Sequence, residues 1–129
     1  MRLVLGCLAG LMTFGMATAN ERGPMTGEQI RAAVTANRVY LATPLGGELP
    51  MNYRPGGRVD ASGEAIGLAR FFKPQDSGRW WINNNQLCQQ WQEWYKGERM
   101  CFTLERVGAN QLIWRRDNGE SGKARLAPN

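Results

Sequence analysis

The sequence has no histidine. That absence removes the Ser–His and Cys–His nucleophile pairs, imidazole acid–base catalysis, and the common ligands of zinc, copper and haem. Cysteine is nearly as scarce, with three in 129 residues, at Cys7, Cys88 and Cys101. Charge of one sign never accumulates either. The 16 Lys+Arg exceed the 11 Asp+Glu to give +5, yet the basic residues, mostly arginine, are scattered along the chain. No block of them resembles a nucleic-acid arm. Internal repeats, low-complexity tracts and a second domain are also missing.

The longest apolar run, Leu3–Met16, follows Arg2 and precedes Ala17-Thr18-Ala19. This is the pattern of a secretory leader with a small-x-small cleavage site, too short and wrongly flanked for a transmembrane helix. Residues 1–19 therefore read as a signal peptide, and the expected location is periplasmic or secreted. A lipoprotein reading would acylate Cys7 but would leave only Leu3–Gly6 as apolar core. Export removes Cys7 and leaves an even pair, Cys88 and Cys101. In an oxidising compartment such a pair most often forms one disulfide, contributing about 3 kcal/mol; two buried thiols are the other reading. Losing Arg2 leaves 15 basic against 11 acidic residues. Acidic partners outside the cytoplasm are anionic glycans, lipid head groups or envelope proteins, while solubility alone is the plainer use of such charge. Nucleic acid is not expected, and contact with a membrane would be peripheral at most.

Residues 20–37 read as a polar lead and one short helix. Thr26-Gly27-Glu28-Gln29 fits a capping box, and Ile30, Ala33 and Val34 follow at helical spacing, which predicts a helix over Gly27–Ala36. Its apolar face is narrow, suited to plugging a barrel end. Residues 38–129 read as an antiparallel β-domain. Short extended segments alternate with turns such as Pro55-Gly56-Gly57, Pro74-Gln75-Asp76, Gly108-Ala109-Asn110 and Asn118-Gly119. The segments include one over Ala65–Lys73. That rhythm predicts an all-β meander closed as a small barrel or flattened into a sandwich.

The densest stretch is Ser77–Phe102, with Trp80, Trp81, Trp91, Trp94, Tyr95 and both remaining cysteines. If Cys88 faces Cys101, Leu87 opposes Phe102 and Gln89 opposes Met100, so Leu87, Met100, Phe102 and Leu104 form a core stripe. For the last hairpin, a two-residue Asn118-Gly119 turn pairs Trp114 with Lys123 and points Ile113, Ala124 and Leu126 inward. One further loop residue would invert that assignment.

The segments Gly78-Arg79-Trp80-Trp81, Gln86-Leu87-Cys88-Gln89-Gln90-Trp91, Cys101-Phe102, Ile113-Trp114 and Asp117-Asn118-Gly119 together resemble a recurring pattern. It belongs to small exported proteins, mostly bacterial, grouped as a domain of unknown function. Tyr53-Arg54-Pro55-Gly56-Gly57 is similar to their earlier tyrosine-turn-glycine segment. The resemblance implies a compact secreted β-domain and brings no catalytic residue.

Three candidate sites stand beside plainer readings. Trp81, Trp91, Trp94 and Tyr95, with an amide tip at Asn83-Asn84-Asn85, could present an aromatic face to sugars or lipids; the tryptophans could equally fill a small core. Trp80 and Trp81 must face opposite ways, and Trp80 and Trp91 fit the core better. Arg79, Arg99, Arg115 and Arg116 could converge on an anion, or simply be solvated. Glu93, Glu98 and Glu105 could supply a glycosidase carboxylate pair, but nothing in their spacing requires it. The expectation is a non-catalytic module without cofactor or metal. It would bind an anionic, glycan or lipid ligand through Trp81, Trp94, Tyr95, Arg79 and Arg99. The alternative is a protein-interaction module, an inhibitor or accessory subunit of an envelope enzyme.

Overall fold

Thr26 ends the polar lead in extended conformation and starts the helix. Its hydroxyl accepts from the Gln29 amide, and the Thr26 amide donates to Gln29 Oε1 at 2.9 Å, completing the capping box. In the computed structural model, residues 22–44, 46–63 and 74–129 are described, together with Gly6 and Gly10. The leader (those two glycines aside) and the segment expected over Ala65–Lys73 lie outside the described residues.

Helix α1, Gly27–Ala36, runs as its spacing predicts and buries Ile30, Ala33 and Val34. Gly27 is required by packing. A Cβ there would stand 2.5 Å from the Asn84 carbonyl oxygen and 2.7 Å from Ile82 Cγ2. Its amide donates to Asn85 Oδ1 at 2.9 Å, pinning the helix to a β-hairpin.

Among the described residues the strands are β1 (Gly23–Pro24), β2 (Asn37–Ala42), β3 (Glu48–Tyr53), β4 (Arg58–Ser62), β5 (Gln75–Asn83), β6 (Gln86–Trp91), β7 (Arg99–Gly108), β8 (Gln111–Arg116) and β9 (Ser121–Pro128). Strands β2 to β9 form an antiparallel meander, and β9 returns to pair with β2. The sheet is thus a closed eight-stranded barrel and not a sandwich, and within it no strand edge is left open. The short β1 extends the sheet along β7.

Side chains alternate in and out along each strand. Val39, Met51, Val59, Trp80, Leu87, Trp91, Met100, Leu104, Leu112 and Leu126 are buried and belong to one core with the helix face. Each such residue contributes on the order of 1.5–3 kcal/mol. Two buried polar groups inside are paired: the Tyr53 hydroxyl donates to Gln89 Oε1 at 2.6 Å, and Trp80 Nε1 donates to the Arg54 carbonyl at 2.8 Å.

Cys88 and Cys101 are joined on the outer face, and the flanking register is Leu87–Phe102 and Gln89–Met100, as expected. The last hairpin is not as expected. Trp114 pairs with Gly122 and Leu112 with Ala124, so Leu112 and Trp114 face inward and Ile113 faces out. The Arg116 amide donates to the Glu120 carbonyl, and Gly119 takes φ 93°, making a three-residue loop over Asp117, Asn118 and Gly119. The extra residue shifts the register by one and exchanges the faces of β8, while Ala124 and Leu126 of β9 point inward as expected. Gln75 and Asp76 also differ from expectation, opening β5 instead of lying in a turn.

Candidate functional site

On the outer wall, the register places two rows side by side. Trp81, Cys88 and Cys101 form one row; Arg58, Arg79, Gln90 and Arg99 form the next, crossing four strands. The Arg79 and Arg99 guanidinium carbons each lie 5.3 Å from the centre of the Trp81 ring. Such cation–π contacts contribute about 0.5–1 kcal/mol each at exposed sites. Arg79 Nη2 donates to Gln90 Oε1 at 2.9 Å, and Gln90 Nε2 donates to the Gly97 carbonyl at 2.9 Å. The amide thus aligns one arginine and ties the wall to the next loop.

Most other arginines of the wall have a carboxylate. Arg54 holds Asp60 at 2.8 Å, Arg115 holds Glu105 at 2.9 Å, and Arg125 holds Glu48 at 2.9 Å. The Arg125 hydrogen bond pulls the Glu48 carboxyl below its ordinary range; that of Arg54 does the same to Asp60, with a smaller contribution from Arg58 nearby. Arg58, Arg79 and Arg99 form no ion pair among the described residues. Arg58 and Arg79 are moreover direct cross-strand neighbours, an arrangement of like charges that is unfavourable by a fraction of a kcal/mol.

At the end of β6 the chain enters a compact turn over Trp94–Gly97. Asp76 Oδ2 accepts from the Glu93 and Trp94 amides at 2.9 and 2.8 Å, and the Glu98 amide donates to the Tyr95 carbonyl at 3.0 Å. So held, Tyr95 and Lys96 take φ values of 53° and 56°. The left-handed region costs about 1–2 kcal/mol per non-glycine residue, and such strain persists only where surrounding bonds impose it. Trp94 packs on Trp91 with ring centres 5.0 Å apart, while Tyr95 is 55% exposed.

Behind this turn lies a lumen of about 90 Å³ that runs into the barrel as far as Val34 of α1. Its described lining is apolar apart from Gln89, Arg116 and the polar tips of Tyr53, Tyr95 and the tryptophans. Arg116 is inward and rim-facing, with Glu98 at 3.3 Å, Asp117 at 3.7 Å and Glu120 at 3.8 Å around it.

The five expected site residues therefore divide. Trp81, Arg79 and Arg99 come together on the wall, whereas Trp94 and Tyr95 frame the lumen. Arg115 and Arg116 do not join the wall cluster, because one is paired with Glu105 and the other points into the barrel. The amide tip is also elsewhere. Asn85 holds the helix at the far end of β6, so it cannot flank Trp94. Trp91 is core, as is Trp80. Glu98 and Glu105 are occupied by Arg116 and Arg115, and neither they nor Glu93 line the lumen. Sequence reasoning missed Arg58, Gln90 and Asp76. The first two become visible only through register across three strand pairs, and the third through a contact spanning 17 residues. Among the described residues no group of three His, Cys, Asp or Glu gathers as a metal site, and no helix is long and apolar enough to cross a membrane.

Compared with known proteins, the chain matches no family model, no curated protein and no solved structure.

Proposed function

We propose that the protein is an exported, non-catalytic binding module that takes an anionic ligand, an acidic glycan or an anionic lipid head group, on its outer wall. The observation that carries this reading is the convergence of Arg79 and Arg99 on Trp81, with Arg58 in the same row and no ion-paired carboxylate. Guanidinium groups recognise carboxylate, sulfate and phosphate through paired N–H donors, and Arg54, Arg115 and Arg125 elsewhere on the wall are already paired with carboxylates. The excess of 15 basic over 11 acidic residues that remains without Arg2 assists encounter with such ligands.

The test is binding of polygalacturonate and of phosphatidylglycerol vesicles, each against an uncharged counterpart, followed by Trp fluorescence and repeated at raised salt. Arg79→Ala combined with Arg99→Ala should weaken binding of the acidic ligand at least tenfold. Equal binding by this variant and the parent would reject the wall as the site. A second reading, an inhibitor or accessory subunit of an envelope enzyme, is favoured by one observation: the exposed Tyr95 ring on a rigidly held turn. Aromatic side chains so presented are common anchors at protein interfaces. Stoichiometric recovery of a partner protein, lost in Tyr95→Ala, would favour it.

A further inference from the structure

The lumen contains hydrogen-bond donors with nothing to donate to. Among the described residues, Trp91 Nε1, Trp114 Nε1 and Arg116 Nε are buried and have no acceptor within hydrogen-bond distance, the Asp117 carboxylate standing 3.7 Å from Arg116 Nε. Trp91 is only 3% exposed, and all three residues line the same cavity. The acceptor nearest to hand, Gln89 Oε1, already receives the Tyr53 hydroxyl. Buried polar groups in folded proteins nearly always have a partner, so three orphans of one kind around one space describe the chemistry of what belongs there. It must accept hydrogen bonds. Its remainder must be apolar, since Leu87, Met100, Phe102 and Leu112 supply the rest of the surface.

Charge decides what kind of acceptor fits. A lone arginine would favour a carboxylate. Here Glu98, Asp117 and Glu120 surround Arg116, three negative charges against one positive. An anion entering past that rim meets net repulsion, whereas an uncharged oxygen does not. Size narrows it further. A lumen of about 90 Å³ is smaller than an engineered apolar cavity of about 150 Å³ that admits benzene. It has room for a chain of a few carbons and none for a sugar ring or a sterol.

We propose that the barrel lumen is a binding site for a small, neutral, apolar molecule carrying a carbonyl oxygen, such as a short ketone or ester, with Trp91 Nε1–H as its principal hydrogen-bond donor and Trp94 and Tyr95 as its lip. The site is separate from the wall cluster and stands whether or not the wall binds an anion.

The experiment is NMR observation of the indole N–H resonances of the protein, assigned by single Trp→Phe variants, during titration with acetone. The Trp91 resonance should shift and saturate on the order of 1 mM, the range open to a ligand of a few heavy atoms. Trp80 is an internal control, because its Nε1–H already donates to the Arg54 carbonyl; it should not move. Acetate, similar in size but charged, should leave the Trp91 resonance within a tenth of the ketone shift. Filling the lumen by Ala124→Leu should abolish the ketone response while the indole spectrum stays dispersed. An unmoved Trp91 resonance at saturating ketone overturns the proposal. So does an equal response to acetate, or a Trp80 shift as large as that of Trp91.

Discussion

The two ends of the barrel differ in how completely they are satisfied. At the helix end, the capping box is closed, Gly27 donates to Asn85, Asn37 Nδ2 donates to the Ala33 carbonyl, and Trp80 has its acceptor. At the open end, the buried N–H donors of Trp91, Trp114 and Arg116 lack acceptors, and two consecutive residues are held in the left-handed region. Each unmet donor costs about 1–3 kcal/mol, and each strained residue a similar amount. The helix end holds one left-handed residue of its own, Asn84 at φ 55°, a residue type that tolerates that region, so the larger cost falls at the open end.

That contrast can be broken by substitution. Ile30 is fully buried between helix and barrel, so Ile30→Ala should lower the free energy of unfolding by about 2–5 kcal/mol in denaturant titration. A loss below about 1 kcal/mol would show the helix to be a loose cover and the two ends more alike than described. Converting both Cys88 and Cys101 to serine should cost about 3 kcal/mol, read as a lowered Tm, because the bridge spans 13 positions and restrains the unfolded chain.

Alkaline pH probes the interior between the ends. Burial raises the Tyr53 hydroxyl above its ordinary value of 10.0. Its contribution to stability is complete below that value and is lost as pH rises from there toward the folded value. Tyr53→Phe should flatten the decline of stability above pH 10, and an unchanged slope would show that another group causes it. The smallest effect sharpens the contrast at the open end. Lys96→Gly should raise stability by about 1 kcal/mol by relieving the left-handed strain at φ 56°. A loss of stability instead would mean that the turn is relaxed.

Much of this architecture was legible in the chain itself, where local chemistry determines the outcome. Thr26 and Gln29 announce the helix start through side chains three residues apart. Cys88 and Cys101 set the register of β6 on β7, and hence which of Leu87, Gln89, Met100 and Phe102 look inward. The face of β8 was misread because Asn118-Gly119 is compatible with both a two-residue and a three-residue loop, and period-two alternation reverses with a single residue. The row of Arg58, Arg79 and Arg99 was illegible for another reason. Arg58 reaches Arg79 only through the β4–β5 pairing, whereas the strand expected over Ala65–Lys73 would have stood between them. Asp76 holds the Glu93 and Trp94 amides from 17 and 18 positions away, and nothing in its neighbours along the chain announces it.

The pairing of β9 with β2 has a kinetic consequence. Val39 meets Leu126 and Asn37 meets Pro128, joining stretches almost the whole domain apart. Closing so large a loop is entropically slow, and every earlier hairpin can form without it. Until that seam zips, both margins of the nascent sheet present bare amide and carbonyl groups to any neighbouring molecule. The final eight-residue strand thus acts as a latch, and weakening it would favour aggregation during folding before any effect on binding was seen.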